Sequence, residues 1–256
     1  MFAMRRFLAK VTLLSLPWFV ISSMWIVSSQ QKPDDGQDKE PGTKIEPGVM
    51  SEKQKEHSKL YDNYYTKGQG RLDEDPQSQR VRDFQANMYK PSGLEPVVDP
   101  ISIEQFMQRQ SCAADAVVAG EVIDKASQLV ASAQFLFTEY TVRITDVYKN
   151  NALSEVLPGS EITVVRPGGK AEIRGRIVKT IDGRFLPLTV GSRVLLFLKY
   201  LPKTGSYDSA LNRGSFEFHK DILVPLTDQV VSGFDSKNGV QFGPNITSAI
   251  ATGCPG

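Results

Sequence analysis

Apolar and polar positions divide the chain into three stretches. Near the start, an apolar run from Val11 to Val27 follows Arg5, Arg6 and Lys10, and polar sequence resumes at Ser28. This is the layout of an export signal or a membrane anchor. The run would span about 25 Å as a helix, or about 31 Å if it begins at Phe7 with Lys10 snorkelling to the headgroups, against roughly 30 Å of hydrocarbon. Val27 and Ser29 also satisfy the small-residue rule for cleavage after Ser29. Residues 1–29 are therefore read as an uncleaved anchor, held through residues 7–27, or as a cleaved signal peptide. Both readings place the rest of the chain outside the cytoplasm, membrane-anchored or secreted.

From residue 30 to residue 99, Lys, Glu, Asp, Gln, Pro and Gly dominate and apolar residues are sparse. Such a stretch cannot bury enough apolar surface to offset the entropy of ordering, and it is expected to be a disordered polar tether. Within it, residues 51–67 carry Leu60, Tyr61, Tyr64 and Tyr65 and suit a transient helix; residues 75–90, opened by Pro76, suit another. The tyrosine cluster is also the part of the tether best suited to folding on a partner.

A domain is expected over residues 100–256. Ser102 followed by Gln105 is a capping-box pattern, and with Ile103, Phe106 and Met107 it predicts a helix from Ile103 to Gln110. The pattern then turns to strands. Ala116 to Ile123 is one, with Gly120 marking a bulge or bend. In Phe137 to Val147, Tyr140, Val142 and Ile144 face one way while Glu139, Thr141, Arg143 and Thr145 face the other. Further strands are expected at Glu161–Val165, Ala171–Ile181, Arg193–Leu201 and Ser215–His219. The Arg193–Leu201 run is apolar on both faces and reads as a covered central strand. Asp182-Gly183 is a hairpin signal, Asn238-Gly239 is another turn signal, and Ile246–Thr252 is a closing helix or coil. The domain is thus mainly β, with short flanking helices: a small barrel, closed or partly open, or else a sandwich.

Charge and composition narrow the function. The net charge is +1, and no Lys/Arg cluster beyond the N-terminus points to nucleic acid. Two histidines, His57 and His219, and two cysteines, Cys112 and Cys254, lie outside metal-ligand spacing, so no metal and no cofactor is expected. In an exported chain two cysteines favour one disulfide over two buried thiols.

The stretch Cys112-Ala-Ala-Asp115-Ala-Val-Val-Ala-Gly120-Glu-Val122 resembles the start of netrin-like domains, the family that includes the tissue inhibitors of metalloproteinases. The later pieces Tyr140-Thr-Val-Arg-Ile-Thr-Asp-Val-Tyr-Lys149, Pro158-Gly, Ile162-Thr-Val-Val-Arg-Pro-Gly-Gly169 and Val194-Leu-Leu-Phe-Leu198 fit the same layout. The likeness runs from Ser102 to His219, or to Cys254 with the bridge. It implies an OB-type antiparallel barrel in a simplified exported form, and a disulfide joining Cys112 to Cys254. Inhibitory members place a free N-terminal cysteine on the protease metal and carry further disulfides. Cys112 instead follows a long polar segment, so inhibition of that type stands only as the alternative function.

Other candidate chemistry is sparse. Cys112 with His219 would be a nucleophile and base only without a bridge. His219 reads as a strand-end surface residue, and Asp115 as a local cap or ion-pair partner. Pro167-Gly-Gly-Lys170 lacks the spacing of a phosphate loop and reads as a turn. Lys170, Arg174, Arg176 and Lys179 form the most basic part of the domain, either a patch for an anionic ligand or a solvated edge hairpin. Asn245-Ile-Thr247 is a glycosylation sequon where the host has that pathway. The reading reached is a non-catalytic extracytoplasmic module, not an enzyme, that binds an unidentified protein or polymer and no nucleic acid.

Overall fold

Long β-ladders organise the chain. The computed structural model describes residues 42–46, 48–62, 64, 71–73, 83–87, 101–209, 214–227, 231, 234, 239–252 and 254. Early in the chain come β1 (Thr43–Ile45), α1 (Glu52–Lys59), β2 (Asp83–Asn87) and α2 (Ile103–Ala113). Strands follow: β3 (Ala116–Leu129), β4 (Leu136–Lys149), β5 (Glu161–Pro167), β6 (Gly169–Ile173), β7 (Arg176–Ile181) and β8 (Arg193–Leu201). The chain continues through β9 (Ser206–Asp208), β10 (Ser215–His219), β11 (Ile222–Pro225), β12 (Val240–Gln241) and α3 (Pro244–Thr252). The anchor or signal expected over residues 1–29 lies outside the described residues. Among the described residues, no helix is long and apolar enough to cross a membrane.

The main sheet has eight strands in the order β12-β11-β10-β8-β3-β4-β5-β9, and β9 also pairs with β8. All its ladders are antiparallel except β5–β9, where Val164 lies beside Tyr207. Alternation decides what each face meets. Ala116, Val118, Val122, Tyr140, Val142, Ile144, Val164, Val194, Leu196, Leu198 and Tyr207 form one buried cluster, together with Val156 and Leu188. Val117, Ala119, Leu195 and Phe197 point the other way, into a cluster with Phe106, Met107, Phe216, Ile246 and Ile250. The expected double-faced β8 is therefore present, covered on one side by α2 and α3.

Local chemistry sets the ends of α2. Ser102 Oγ accepts from the Gln105 backbone N–H while the Gln105 side chain accepts from the Ser102 N–H, each at 3.2 Å. The helix passes the expected Gln110 because its C-terminal carbonyls are met: Lys149 Nζ donates to Ser111 O and Ala114 O, both at 2.7 Å. Ser111 Oγ donates to Ile250 O at 2.7 Å, and a disulfide joins Cys112 to Cys254. Together these fasten the C-terminal helix to α2.

Gly120 sits at a register shift between β3 and β4, as expected of a bulge. A Cβ placed there would press on Arg143 O and the Val142 side chain. Gly120→Ala is expected to cost about 1–3 kcal/mol through overpacking. Denaturant unfolding checks this; an unchanged midpoint would mean that the β4 backbone yields freely.

Three expectations are corrected. Ala171–Ile181 is not one strand but the hairpin β6–β7, turned at Arg174 and Gly175, both with positive φ (50° and 76°). Asp182-Gly183 turns no hairpin: the buried Asp182 carboxylate accepts from the Arg184 backbone N–H at 3.0 Å and from its guanidinium. The third concerns the polar segment of residues 30–99, which is ordered on the domain where it is described. β1 pairs in parallel with β6, and the small sheet β1-β6-β7 carries β2 parallel on the outer edge of β7, where a helix was expected. Its few apolar side chains explain the docking: Ile45, Tyr61, Tyr64 and Leu72 are all buried. The segment cannot form a core alone, but it can complete one. The described residues belong to one compact unit beginning at Pro41.

Candidate functional site

The richest polar constellation lies where α1 meets β4, β5 and β9. α1 starts at a second capping box, with Ser51 and Gln54 bonded reciprocally. Half of its residues are charged and exposed, and an eight-residue helix of this kind is not stable alone. One face makes the attachment. His57 is fully buried, with Nδ1 2.5 Å from Glu139 Oε1 on β4 and Nε2 2.8 Å from Ser206 Oγ on β9. With the carboxylate as acceptor, Nδ1 carries a proton and donates it. Ser58 Oγ accepts from the Ala131 N–H at 2.8 Å, and Lys53 Nζ donates to Thr163 Oγ1 at 3.1 Å.

Two tyrosines follow at i+4 and i+7 from His57. Tyr61 stacks on Phe137 at 5.8 Å between centroids, and its hydroxyl donates to Asp208 Oδ1 at 3.3 Å. Tyr64 stacks on Phe135 at 5.0 Å, beneath the Arg184 guanidinium. Burial, then the Asp208 charge, holds the Tyr61 hydroxyl well above its usual range; burial, then Asp182, does the same for Tyr64. Both therefore stay neutral donors in ordinary buffers. Behind them Arg166 is fully buried, donates Nη2 to Leu186 O at 2.8 Å and packs over Phe185. Burial lowers its guanidinium pKa, while Tyr140, Tyr61, Asp208 and Asp182 oppose that shift.

Ser206, His57 and Glu139 stand in the order of nucleophile, base and orienting acid. Access decides against reading them as a hydrolytic triad. Ser206 and His57 are both 0% exposed, and Ser206 Oγ also lies 2.7 Å from Thr204 Oγ1. A serine closed off in this way cannot reach a substrate carbonyl. The same bonds hold α1 to the sheet.

Cys112 and Cys254 are bridged, so Cys112 offers no thiol to His219. His219 is a surface residue at the end of β10, 3.3 Å from Glu217. Asp115 pairs locally: Lys199 Nζ donates to it at 3.0 Å and the Tyr200 N–H at 2.9 Å. Burial alone would raise its carboxyl; those donors outweigh burial and leave it below the usual range. The unfolded chain then binds the proton more readily. The stabilisation is present above about pH 3.9 and disappears as pH falls through the folded value. Asp115→Asn is expected to flatten the acid side of the stability–pH profile; an unaltered profile would show that the pair contributes nothing.

The four basic residues do not share one face. Lys170 and Lys179 are cross-strand partners, whereas Arg176 lies opposite Ile173 on the side of the buried Val178. Arg176 Nη2 donates to Leu72 O at 2.6 Å, and Arg174 occupies the turn. Pro167-Gly-Gly-Lys170 is the turn from β5 into β6, with Gly168 at φ 89°. Asn245 of the sequon is exposed in the first turn of α3. Among the described residues, no three His, Cys, Asp or Glu side chains cluster as metal ligands. The sequence matches no protein-family model and no curated protein.

The sequence singles out Tyr61 and Tyr64, and nothing local in it groups His57, Glu139 and Ser206. One signal is present: His57, Tyr61 and Tyr64 recur at i, i+4 and i+7, the spacing of one helix face, although α1 itself ends at Lys59.

Proposed function

We propose that the chain is a non-catalytic extracytoplasmic binding module built on an OB-type, netrin-like barrel. The strand ring is the observation that carries this reading. Counting β3, β4, β5, β8 and β9 as first to fifth, the ladders run first, second, third, fifth, fourth and back to first, with third and fifth parallel. That closed Greek-key order is the one OB-type barrels use, and such barrels bind through the face of their second and third strands. Those strands are β4 and β5 here, and α1 covers their outer face. The Cys112–Cys254 bridge supports an oxidising compartment, and the basic-then-apolar start of the sequence supports export. The burial of Ser206 supports a role without catalysis. The inhibitor alternative gains nothing, because Cys112 lies inside α2 and behind a docked segment.

Trapping of free thiols in intact cells tests the location. Both cysteines are expected to resist alkylation until reduced; free alkylation of both would place the chain in a reducing compartment. Turnover of ester and amide substrates tests the chemistry. None is expected from the purified chain, and hydrolysis abolished by Ser206→Ala would overturn the reading.

A further inference from the structure

The outer face of β4, β5 and β9 has the make-up of a peptide receptor. It offers two acceptors, Glu139 and Asp208, the Ser206 hydroxyl, and two aromatic platforms, Phe135 and Phe137. Its present occupant meets all five through His57, in the last turn of α1, and through Tyr61 and Tyr64, in the turns that follow the helix. The rest of α1 is polar, with ion pairs Lys55–Glu52 and Lys59–Glu56 on its own surface, so the segment suits water when released. The seat does not: Val130, Phe135, Phe137 and Val165 are buried together with Tyr61 and Tyr64, and losing the segment would bare them. Residues 74–82 join the segment to β2 on β7 and reach on the order of 30 Å if extended, so covalent linkage alone does not fix the segment in its seat.

We propose that this face is a recognition site for a peptide that ends a short helix at a His and continues through turns carrying Tyr at four and seven residues beyond it. Residues 51–64 fill it in cis, and the same segment of a second copy of the chain fills it in trans once the cis segment is released. The proposal rests on reading β4–β5 as the binding face. Tethering gives the cis segment an effective concentration of order millimolar, so exchange is suppressed in the intact chain.

The test uses the full chain with a protease site inserted between Pro91 and Pro100. The protein is cut, the N-terminal fragment is removed, and the remaining chain is titrated with a fluorescent peptide of residues 42–73, read by anisotropy. Saturable binding is expected to the cut protein, and at least about 100-fold weaker binding to the uncut one. Peptides carrying His57→Ala or Tyr61→Ala are expected to bind at least about tenfold more weakly, the loss of one anchor. No binding to the cut protein, equal binding to cut and uncut forms, or equal binding of the Tyr61→Ala peptide would each overturn the proposal. Loss of the β circular dichroism on cutting would overturn it too, since the seat would then not be preformed. None of these failures touches the export and non-catalytic reading, which thiol trapping and turnover test separately.

Discussion

Replacing Tyr61 by alanine is expected to release residues 51–64 from the β domain while the strand ring stays folded. Tyr61 is 3% exposed, stacks on Phe137, meets Phe135 and Tyr64 edge-on and donates to Asp208. Truncating a buried aromatic of this kind costs about 3–5 kcal/mol when the structure around it stays in place. Here it need not stay in place. α1 is short, polar and joined to the ring by side-chain contacts, so undocking is the cheaper response, and the loss in global stability is capped at the docking free energy. Tryptic cleavage at Lys53, Lys55 and Lys59 tracks the open population. About 3 kcal/mol corresponds to a rise on the order of 100-fold in its rate. Tyr61→Phe, which keeps the stack and loses one hydrogen bond, is expected to cost only about 1 kcal/mol. Equal cleavage of Tyr61→Ala and the parent chain would show that Tyr61 does not hold the segment.

The second large effect belongs to the disulfide. Cys112 and Cys254 are 142 residues apart in sequence, and the bridge encloses the whole strand ring. Removing a native bridge costs about 2–5 kcal/mol, against an upper estimate near 5 from loop entropy alone. The damage should begin at α3, which is short and held through Ile246, Ile250 and the Ser111 hydroxyl on Ile250 O. The double variant Cys112→Ser, Cys254→Ser is therefore expected to melt on the order of 5–15 °C lower by calorimetry. It should also expose α3 amides to exchange before those of β3 and β8. An unchanged melting temperature would mean that packing alone secures both ends of the domain.

Where the sequence carried a local period, the structure followed it. Tyr140, Val142 and Ile144 alternate on β4 as expected, β8 spans Arg193–Leu201, and the Ser102–Gln105 box opens α2. Where the outcome depended on tertiary partners, local reading failed. Ala171–Ile181 alternates as one strand would, so the Arg174-Gly175 turn was invisible to periodicity. The basic residues are a different case, because their separation was legible: Arg176 and Lys179 lie an odd number of positions apart, and a strand sends them to opposite faces. The His57 site was the least legible. His57 is 82 residues from Glu139 and 149 from Ser206, and no local rule links them. Its segment also looked too polar to order, because average composition does not show that four spaced side chains can complete a core built by other residues.

Amide hydrogen exchange across residues 55–64 of the intact, oxidised chain tests the central claim most directly. The N–H groups of Lys55, Leu60, Tyr61 and Tyr64 bond only within their own segment, so protection there requires docking to the ring. The expected result is slow exchange of these amides, lost in Tyr61→Ala while β4 stays protected. Exchange at the rate of an unstructured peptide in the parent chain would contradict the account.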